Sequence, residues 1–292
     1  MEGNDSPIVI IGAGRSGTNM LRNVLTALRG LGTWPCDEIN YLWRHRNARH
    51  PTDEFTPEMA RPRVKASIRR AFDRLARRRG LASVVEKTCA NSLRVGFVNA
   101  VFPRARFVHV IRDGRDVAVS AAERWTAPLD VAYLLKKARF VPPADLPYYG
   151  TRYLWNRLYR IVGRRKRLAV WGPRFAGMEE TFRVHPLQVA CALQWKRCVE
   201  RACADFAEID PARVHEIRYE RFVAEPAGHL RRLARFMGVE ASPGEISRAV
   251  DGVSSRSVGR WEHRLPEEIV QQIHLSCGDT LRRFEYVRRV AA

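Results

Sequence analysis

The chain has 292 residues, of which 46% are hydrophobic and 28% are charged, an ordinary composition for a globular protein with a sizeable core. Its 51 Lys and Arg against 31 Asp and Glu give a net charge of +20, which predicts an anionic partner: nucleic acid, a membrane surface, a polyanion or a phosphorylated cofactor. No stretch approaches the roughly 18 consecutive apolar residues of a membrane span, and the first residues lack the pattern of a signal peptide. The six cysteines form no C-x-x-C motif, so free thiols and a cytoplasmic location are expected.

Strand and helix patterns alternate along the chain. The predicted strands are 7–12, 82–87, 105–111 and 213–219, and the predicted helices are 17–29, 63–79, 91–100, 114–124, 186–207, 227–237 and 266–283. This alternation predicts an α/β domain with a parallel sheet covered on both faces, in which ligands bind beyond the carboxyl ends of the strands. Residues from about 126 to 185 are rich in proline, aromatic residues and arginine. We expect a substrate cap or lid there, inserted into a single domain that spans 1–292.

The first predicted strand leads into a glycine-rich turn, GAGRSGTN at 12–19. Gly12, Gly14 and Gly17 satisfy the dinucleotide-binding fingerprint G-x-G-x-x-G. The same residues nearly satisfy the Walker A pattern, except that Thr18 stands at the position of its lysine. A plain strand-to-helix turn that needs glycine for its φ angles is a further interpretation.

The first two interpretations each need further residues that the sequence does not supply. Dinucleotide binding needs an acidic residue at the end of a second strand, whereas Asp37 and Glu38 lie in a loop-like segment and 29–62 shows no clear strand. A kinase or ATPase needs the loop lysine and a carboxylate for magnesium. A glycine-rich turn at a helix N-terminus presents several backbone N–H groups to one anion, and Arg15 adds a cation at its leading edge. The turn therefore predicts an anion-binding site.

A second informative stretch is FVHVIRDGRDVAVSAAERW at 107–125. Arg112 follows a strand, while Ser120 and Arg124 lie one turn apart on the next helix. These three side chains can converge on one dianionic group, a task that suits the planar and permanently charged guanidinium. The alternative is a helix start whose charged residues pair among themselves: Asp113, Arg115 and Asp116.

Together, G-x-x-R-S-G-T and I-R-D-G-R-D-V-A-V-S resemble the motifs of sulfotransferases that use 3′-phosphoadenosine 5′-phosphosulfate (PAPS). The resemblance covers most of the chain, including 171–180, 191–200, 218–239 and 258–269. It implies a P-loop-like α/β fold with helices on both faces of the sheet. Arg15 takes the place of the lysine that is common in the cytosolic branch. The chain is therefore nearer to the branch that resembles bacterial enzymes and protein-tyrosine sulfotransferases.

The resemblance also implies roles for individual residues. The first turn would hold the 5′-phosphosulfate through Gly14, Arg15, Ser16, Gly17, Thr18 and Asn19. Arg112 and Ser120, with Arg124, would hold the 3′-phosphate, and Tyr219 would lie near the adenosine phosphate. A C-terminal loop would close over the cofactor and contribute three further candidates: Arg256, Ser257 and Arg260.

Sulfuryl transfer requires mainly positioning and charge stabilisation around an in-line displacement. By the resemblance, Arg15 and Lys87 would neutralise the leaving 5′-phosphate, and Glu38 would accept the proton of the acceptor hydroxyl. A carboxylate at a helix start is the alternative role for Asp37 and Glu38. Three histidines compete as bases: His45, His50 and His185. The scheme requires no metal ion.

The expected activity is transfer of the PAPS sulfuryl group to a hydroxyl of a carbohydrate, lipid, peptide or small natural product, with adenosine 3′,5′-bisphosphate (PAP) as product. An anionic or aromatic acceptor is expected, since aromatic side chains can line a cleft: Trp34, Tyr41, Trp43, Trp125, Tyr133, Tyr148, Tyr149, Tyr153 and Trp155. The alternatives are a P-loop kinase or nucleotide hydrolase and a basic nucleic-acid-binding protein, although no helix-turn-helix, zinc-finger or RNP-like pattern is present. No specific nucleic-acid partner is expected, and peripheral membrane contact and oligomeric state stay open.

Overall fold

A computed structural model describes residues 6–126, 145 and 171–287. Within them lies one five-stranded parallel sheet with the order β2-β3-β1-β4-β5. The strands are β1 (Ile8–Ile11), β2 (Leu31–Gly32), β3 (Ser83–Lys87), β4 (Arg106–Ile111) and β5 (Val214–Arg218). The four predicted strands are confirmed, but the expectation of no strand between 29 and 62 is wrong. β2 has only two residues, too few to produce a recognisable apolar run.

The sheet order places a crevice beside the glycine-rich turn. The chain leaves β1 toward β2 at one edge, whereas it leaves β4 toward β5 at the other edge. Neighbouring connections that run in opposite directions open a crevice at the carboxyl ends of the strands between them. Here that crevice lies between β1 and β4, where 12–19 and Arg112 begin.

The helices of the described residues cover both faces of the sheet. They are α1 (Thr18–Thr26), α2 (Asn40–Arg44), α3 (Pro62–Arg79), α4 (Val95–Val101), α5 (Gly114–Thr126), α6 (Met178–Val184), α7 (Leu187–Phe206), α8 (Tyr219–Ala224), α9 (Pro226–Met237), α10 (Pro243–Val250), α11 (Trp261–Arg264) and α12 (Glu267–Arg283). The seven predicted helices are present, although the one expected at 91–100 begins only at Val95, after a 3₁₀ segment at Cys89–Leu93. The sequence did not predict α2, α6, α8, α10 or α11, since short helices show little periodicity.

Alternate residues of β1 enter different hydrophobic clusters, as a strand buried on both faces requires. Val9 and Ile11 pack with residues of α3 and α4. Ile8 and Ile10 pack with residues of α1 and α9. A third cluster joins α5, α7 and α12. The expected fold class, a parallel sheet with helices on both faces, is confirmed.

Two of the aromatic residues expected to line a cleft belong to the core instead. Trp43 is fully buried and packs against Phe72 and Phe102, and Trp125 is buried in the cluster of α5, α7 and α12. Tyr133, Tyr148, Tyr149, Tyr153 and Trp155 lie outside the described residues, as does most of the expected cap. All six cysteines are free thiols. In the part of the chain that the structure describes, no helix is long and apolar enough to cross a membrane.

Candidate active site

The turn after β1 is shaped by backbone in the left-handed region. Gly17 has φ 85° and precedes α1, and a methyl group there would lie 2.5 Å from Cε2 of Tyr219. Arg15 has φ 72°, a conformation that residues other than glycine adopt rarely. Because the first N–H groups of a helix have no partner within it, α1 offers backbone donors at the same place. The sequence folds here into a cradle for an anion.

Two buried polar atoms at this cradle have no hydrogen-bond partner among the described residues. One is Oγ of Ser16, which is fully buried, and the other is Nε of Arg112. Buried polar atoms are nearly always hydrogen-bonded in folded proteins. The residues present therefore fit a polyanionic ligand that reaches both the turn and the end of β4.

The positive charges that the sequence placed on two distant stretches meet in this crevice. Nε of Arg15 donates to Oγ of Ser120 at 2.9 Å, and Nη1 of Arg112 donates to the Arg15 carbonyl at 3.2 Å. Desolvation lowers the pKa of Arg15, and the nearby charges of Arg124 and Arg112 lower it further. Arginine remains protonated even so. Three cations in one crevice repel one another, so a bound anion would relieve that repulsion.

Tyr219 and Ser257 complete the far side of the crevice. The guanidinium of Arg112 lies 4.4 Å from the centroid of the Tyr219 ring, and it also donates to the Ser257 carbonyl. The Tyr219 hydroxyl is 2.7 Å from Oγ of Ser257. Arg260 forms an ion pair with Glu123 at 2.8 Å. Arg256 is exposed, and its guanidinium bonds to no described residue.

A partly buried ion pair lies on the opposite side of the turn. Lys87 ends β3 beside Ile10 of β1, and its Nζ donates to Oε1 of Glu38 at 3.1 Å. The exposed fractions of the two side chains are 2% and 25%, so Lys87 is not a surface lysine. Burial by itself lowers the pKa of Lys87, but the Glu38 carboxylate outweighs it and the pKa is raised. The pair therefore places a permanent cation and a carboxylate next to the cradle.

Backbone contacts fix the position of Glu38. Its Oε1 accepts a hydrogen bond from the Cys89 N–H at 3.3 Å. The next residue, Ile39, donates its N–H to Oγ1 of Thr88 at 3.2 Å. That hydroxyl donates in turn to the buried Glu86 carboxylate at 2.6 Å. The segment around Glu38 is thus tied to the carboxyl end of β3.

The competing histidines make other contacts. Nδ1 of His45 lies 2.7 Å from the carboxylate of Asp145, and the ring of His50 lies within hydrogen-bond distance of Thr52. His185 follows the last residue of α6. Among the described residues, no group of three or more metal-ligating side chains is placed to hold a metal ion.

Trp171, for which the sequence indicates no role, covers the leading edge of the turn. A methyl group on Gly14 would lie 3.4 Å from the Trp171 ring. Nε2 of Gln194 donates to the carbonyls of Trp171 and Pro173 at 3.2 and 3.0 Å, which fixes the segment. In sequence, 171–180 belongs to the family resemblance, and the pairing of a tryptophan with the following Gly-Pro points to a structured turn.

Comparison with known proteins gives one family. The model of the sulfotransferase family matches residues 7–135 and 156–243. The omega-hydroxy-beta-dihydromenaquinone-9 sulfotransferases Stf3 of Mycobacterium bovis and Mycobacterium tuberculosis are 26% identical over 157 residues. These matches cover 54% of this chain but only 29% of those relatives.

Solved structures share the fold. The sulfotransferase domain of the curacin biosynthetic pathway superposes with a TM-score of 0.57 at 14% identity, covering 94% of this chain and 97% of that one. Sulfotransferase STF9 of Mycobacterium avium gives 0.54 at 12% identity, covering 97% and 78%. Mouse sulfotransferase SULT7A1, complexed with PAP, gives 0.50 at 12% identity, covering 98% and 87%. At these identities the likeness concerns the fold alone, and it agrees with the P-loop-like α/β fold expected from the motifs.

Proposed function

The chain belongs to the sulfotransferase family, and we propose that it transfers the sulfuryl group of PAPS to a hydroxyl group of an acceptor. One observation carries this proposal: the cations Arg15, Arg112 and Arg124 gather at a helix N-terminus, beside two buried polar atoms that have no hydrogen-bond partner in the described part of the chain. That arrangement suits a ligand with two separate anionic groups. PAP and PAPS carry such groups at the 3′ and 5′ positions of one nucleoside.

The binding roles divide between the two sides of the crevice. The turn 14–19 would hold the 5′-phosphosulfate through its backbone N–H groups and the hydroxyls of Ser16 and Thr18. Arg112 would hold the 3′-phosphate, together with Ser120, Arg124 and the residues around Tyr219. Support comes from the bond between Arg15 and Ser120, which links the two halves at 2.9 Å.

Bound PAPS would supply an activated sulfuryl group whose leaving group is the 5′-phosphate. The chain's own task is to stabilise negative charge there and to position the acceptor hydroxyl. We assign the first role to Arg15, which lies in the turn itself, and to Lys87, whose 4% exposure beside the cradle makes a fixed cation effective. We assign to the Glu38 carboxylate, which accepts a hydrogen bond from Lys87, the role of the base that takes the proton from the acceptor hydroxyl. General-base catalysis of this kind contributes about 10²–10⁴-fold to a rate.

We propose that the acceptor is a hydroxyl-bearing molecule with an apolar or aromatic part. The half-buried Trp171 ring over Gly14 would offer it a surface beside the reacting group. The curated relatives are named for a menaquinone derivative, which supports the same class. Their match extends over only a part of those proteins, so the choice among lipid, natural product, carbohydrate and peptide rests on assay.

Isothermal titration calorimetry with PAP tests the binding proposal. The wild-type chain is expected to bind PAP, and Arg112→Ala to bind it about 10–150-fold more weakly, the equivalent of losing a charged hydrogen bond of about 1.5–3 kcal/mol. Arg221→Ala is the matched control, because it removes an exposed arginine whose ion pair in the described residues is with the exposed Glu285. Absence of PAP binding by the folded wild-type chain would overturn the assignment.

Transfer is then measured with labelled PAPS against a panel of hydroxyl acceptors and read by mass spectrometry. Sulfated product is expected with and without EDTA. Turnover that requires ATP and magnesium instead would identify a kinase or nucleotide hydrolase.

A further inference from the structure

Asp116 of α5 connects the 3′-phosphate side of the crevice to the C-terminal part of the chain. Its carboxylate is 2% exposed and accepts two backbone hydrogen bonds, from Gly259 N at 2.8 Å and Trp261 N at 3.0 Å. One of its oxygens also lies 3.5 Å from Nη2 of Arg112. A single buried carboxylate thus contacts both the anion anchor and a segment about 140 residues further along the chain.

That segment, residues 257–261, is called the C-terminal clasp below. Arg112 donates to the Ser257 carbonyl, and the Tyr219 hydroxyl bonds to the Ser257 side chain. At the other end, the Arg115 guanidinium lies 3.8 Å from the centroid of the Trp261 ring. The two N–H groups that donate to Asp116 belong to Gly259 and Trp261, the residues on either side of Arg260. Asp116 therefore holds the middle of the clasp, whose two ends are fixed by Arg112 with Tyr219 and by Arg115.

The charge of Asp116 and its hydrogen bonds have opposite consequences for anion binding. A carboxylate 3.5 Å from Arg112 cancels part of the positive charge that would attract a phosphate. Its two backbone hydrogen bonds, in contrast, hold the clasp against the crevice, so that less conformational freedom is lost when a ligand binds. Removal of the carboxylate tightens anion binding if charge dominates and weakens it if position dominates.

We propose that Asp116 is a positioning residue that holds the C-terminal clasp over the cofactor site and fixes Arg112 before the cofactor binds. This inference rests on the proposed function of the crevice as a PAPS site. Asp116 touches neither the reacting group nor the acceptor in this arrangement. It acts through the clasp and through Arg112.

The test is Asp116→Asn, which keeps the size of the side chain but replaces one oxygen acceptor with an N–H₂ donor. PAP binding by calorimetry is expected to weaken at least 10-fold. In the cofactor-free protein, hydrogen exchange at the amide of Gly259 or Trp261 is expected to accelerate, since one of these amides loses its acceptor and the other keeps only an uncharged one. Equal or tighter PAP binding, or unchanged exchange at both amides, would overturn the inference.

Glu123→Gln is the control for charge alone. It removes another carboxylate of α5, one that pairs with Arg260 but accepts no backbone hydrogen bond from the clasp. PAP affinity is expected to stay unchanged or to increase. A loss as large as that of Asp116→Asn would show that the effect does not depend on the hydrogen bonds to the clasp, against the inference.

A second variant keeps the inference testable if Asp116→Asn does not fold. Asp116→Glu keeps the charge but moves the carboxylate by one methylene, so weaker PAP binding in that variant can arise only from position. Circular dichroism checks that each variant is folded. If the wild-type chain binds no PAP, the proposed function fails, whereas the exchange measurement still decides whether Asp116 holds the clasp.

Discussion

Replacement of Gly17 by alanine tests how tightly the anion cradle is packed. Gly17 has φ 85°, and a methyl group there would lie 2.5 Å from Cε2 of Tyr219. The same ring lies over the guanidinium of Arg112 and bonds through its hydroxyl to Ser257. The ring therefore cannot move away from the new methyl group without disturbing the 3′-phosphate side of the site.

Two contributions to the loss of stability are expected. An alanine in the left-handed region costs about 1–2 kcal/mol, and overpacking of a filled site costs about 1–3 kcal/mol more. Gly177→Ala separates them, because Gly177 also precedes a helix, has φ 78° and has nothing within 4 Å of an added methyl group. The control variant is expected to show only the first contribution.

Thermal unfolding followed by circular dichroism measures the difference. At about 2–4 °C per kcal/mol for a chain of this size, Gly17→Ala is expected to unfold roughly 2–12 °C below Gly177→Ala. Its PAP affinity is expected to fall as well, while that of Gly177→Ala is expected to stay at the wild-type value. Equal unfolding temperatures for the two variants would refute the packing of Tyr219 on the turn. Combining Gly17→Ala with Tyr219→Ala is expected to remove the part of the stability loss that comes from overpacking, since the ring is then absent.

Two further predictions concern carboxylates near β3. Glu38→Gln is expected to lower turnover by about 10²–10⁴-fold and to leave PAP affinity within a factor of two, and wild-type turnover in this variant would show that Glu38 is not the base. Burial raises the pKa of Glu86 to about 7, so the folded state holds a proton that the unfolded chain releases near pH 4.3. Its contribution to stability is present below that pH and is lost as pH rises toward 7, by at most about 1.4 kcal/mol per unit. Urea unfolding from pH 5 to 8 is expected to show this loss in the wild-type chain and not in Glu86→Gln, and parallel curves for the two would contradict it.

The sequence predicted the elements whose signals are local. The run IVII is buried along its whole length as β1, and the stretch from Arg112 to Arg124 forms a strand end and a helix as expected. β2 escaped prediction because its two residues are held by pairing with β3, which no local pattern records. Trp43 was assigned to a cleft for a related reason, since a tryptophan in a short helix looks the same in sequence whether it faces solvent or core.

The candidate site likewise has features that the sequence predicted and contacts that it did not. The glycine and arginine motifs indicated an anion site and the chemistry of its side chains. The bond between Lys87 and Glu38 joins residues 49 positions apart, and that between Asp116 and Gly259 joins residues 143 positions apart. Such contacts depend on how the helices pack on the sheet, so composition and periodicity carry no sign of them. The resemblance to sulfotransferases supplied the candidates, and the fold supplied their partners.

The backbone of Arg15 has a thermodynamic consequence. At φ 72° its position suits glycine, yet it carries the guanidinium that bonds to Ser120. Holding an arginine there raises the free energy of the folded state by about 1–2 kcal/mol. A ligand at a hundred times its dissociation constant stabilises the folded state by about 2.7 kcal/mol, which is larger than that strain. The cradle is thus a strained segment of the molecule, and the unfolding temperature of this protein is expected to rise with the concentration of the nucleotide that we propose as its ligand.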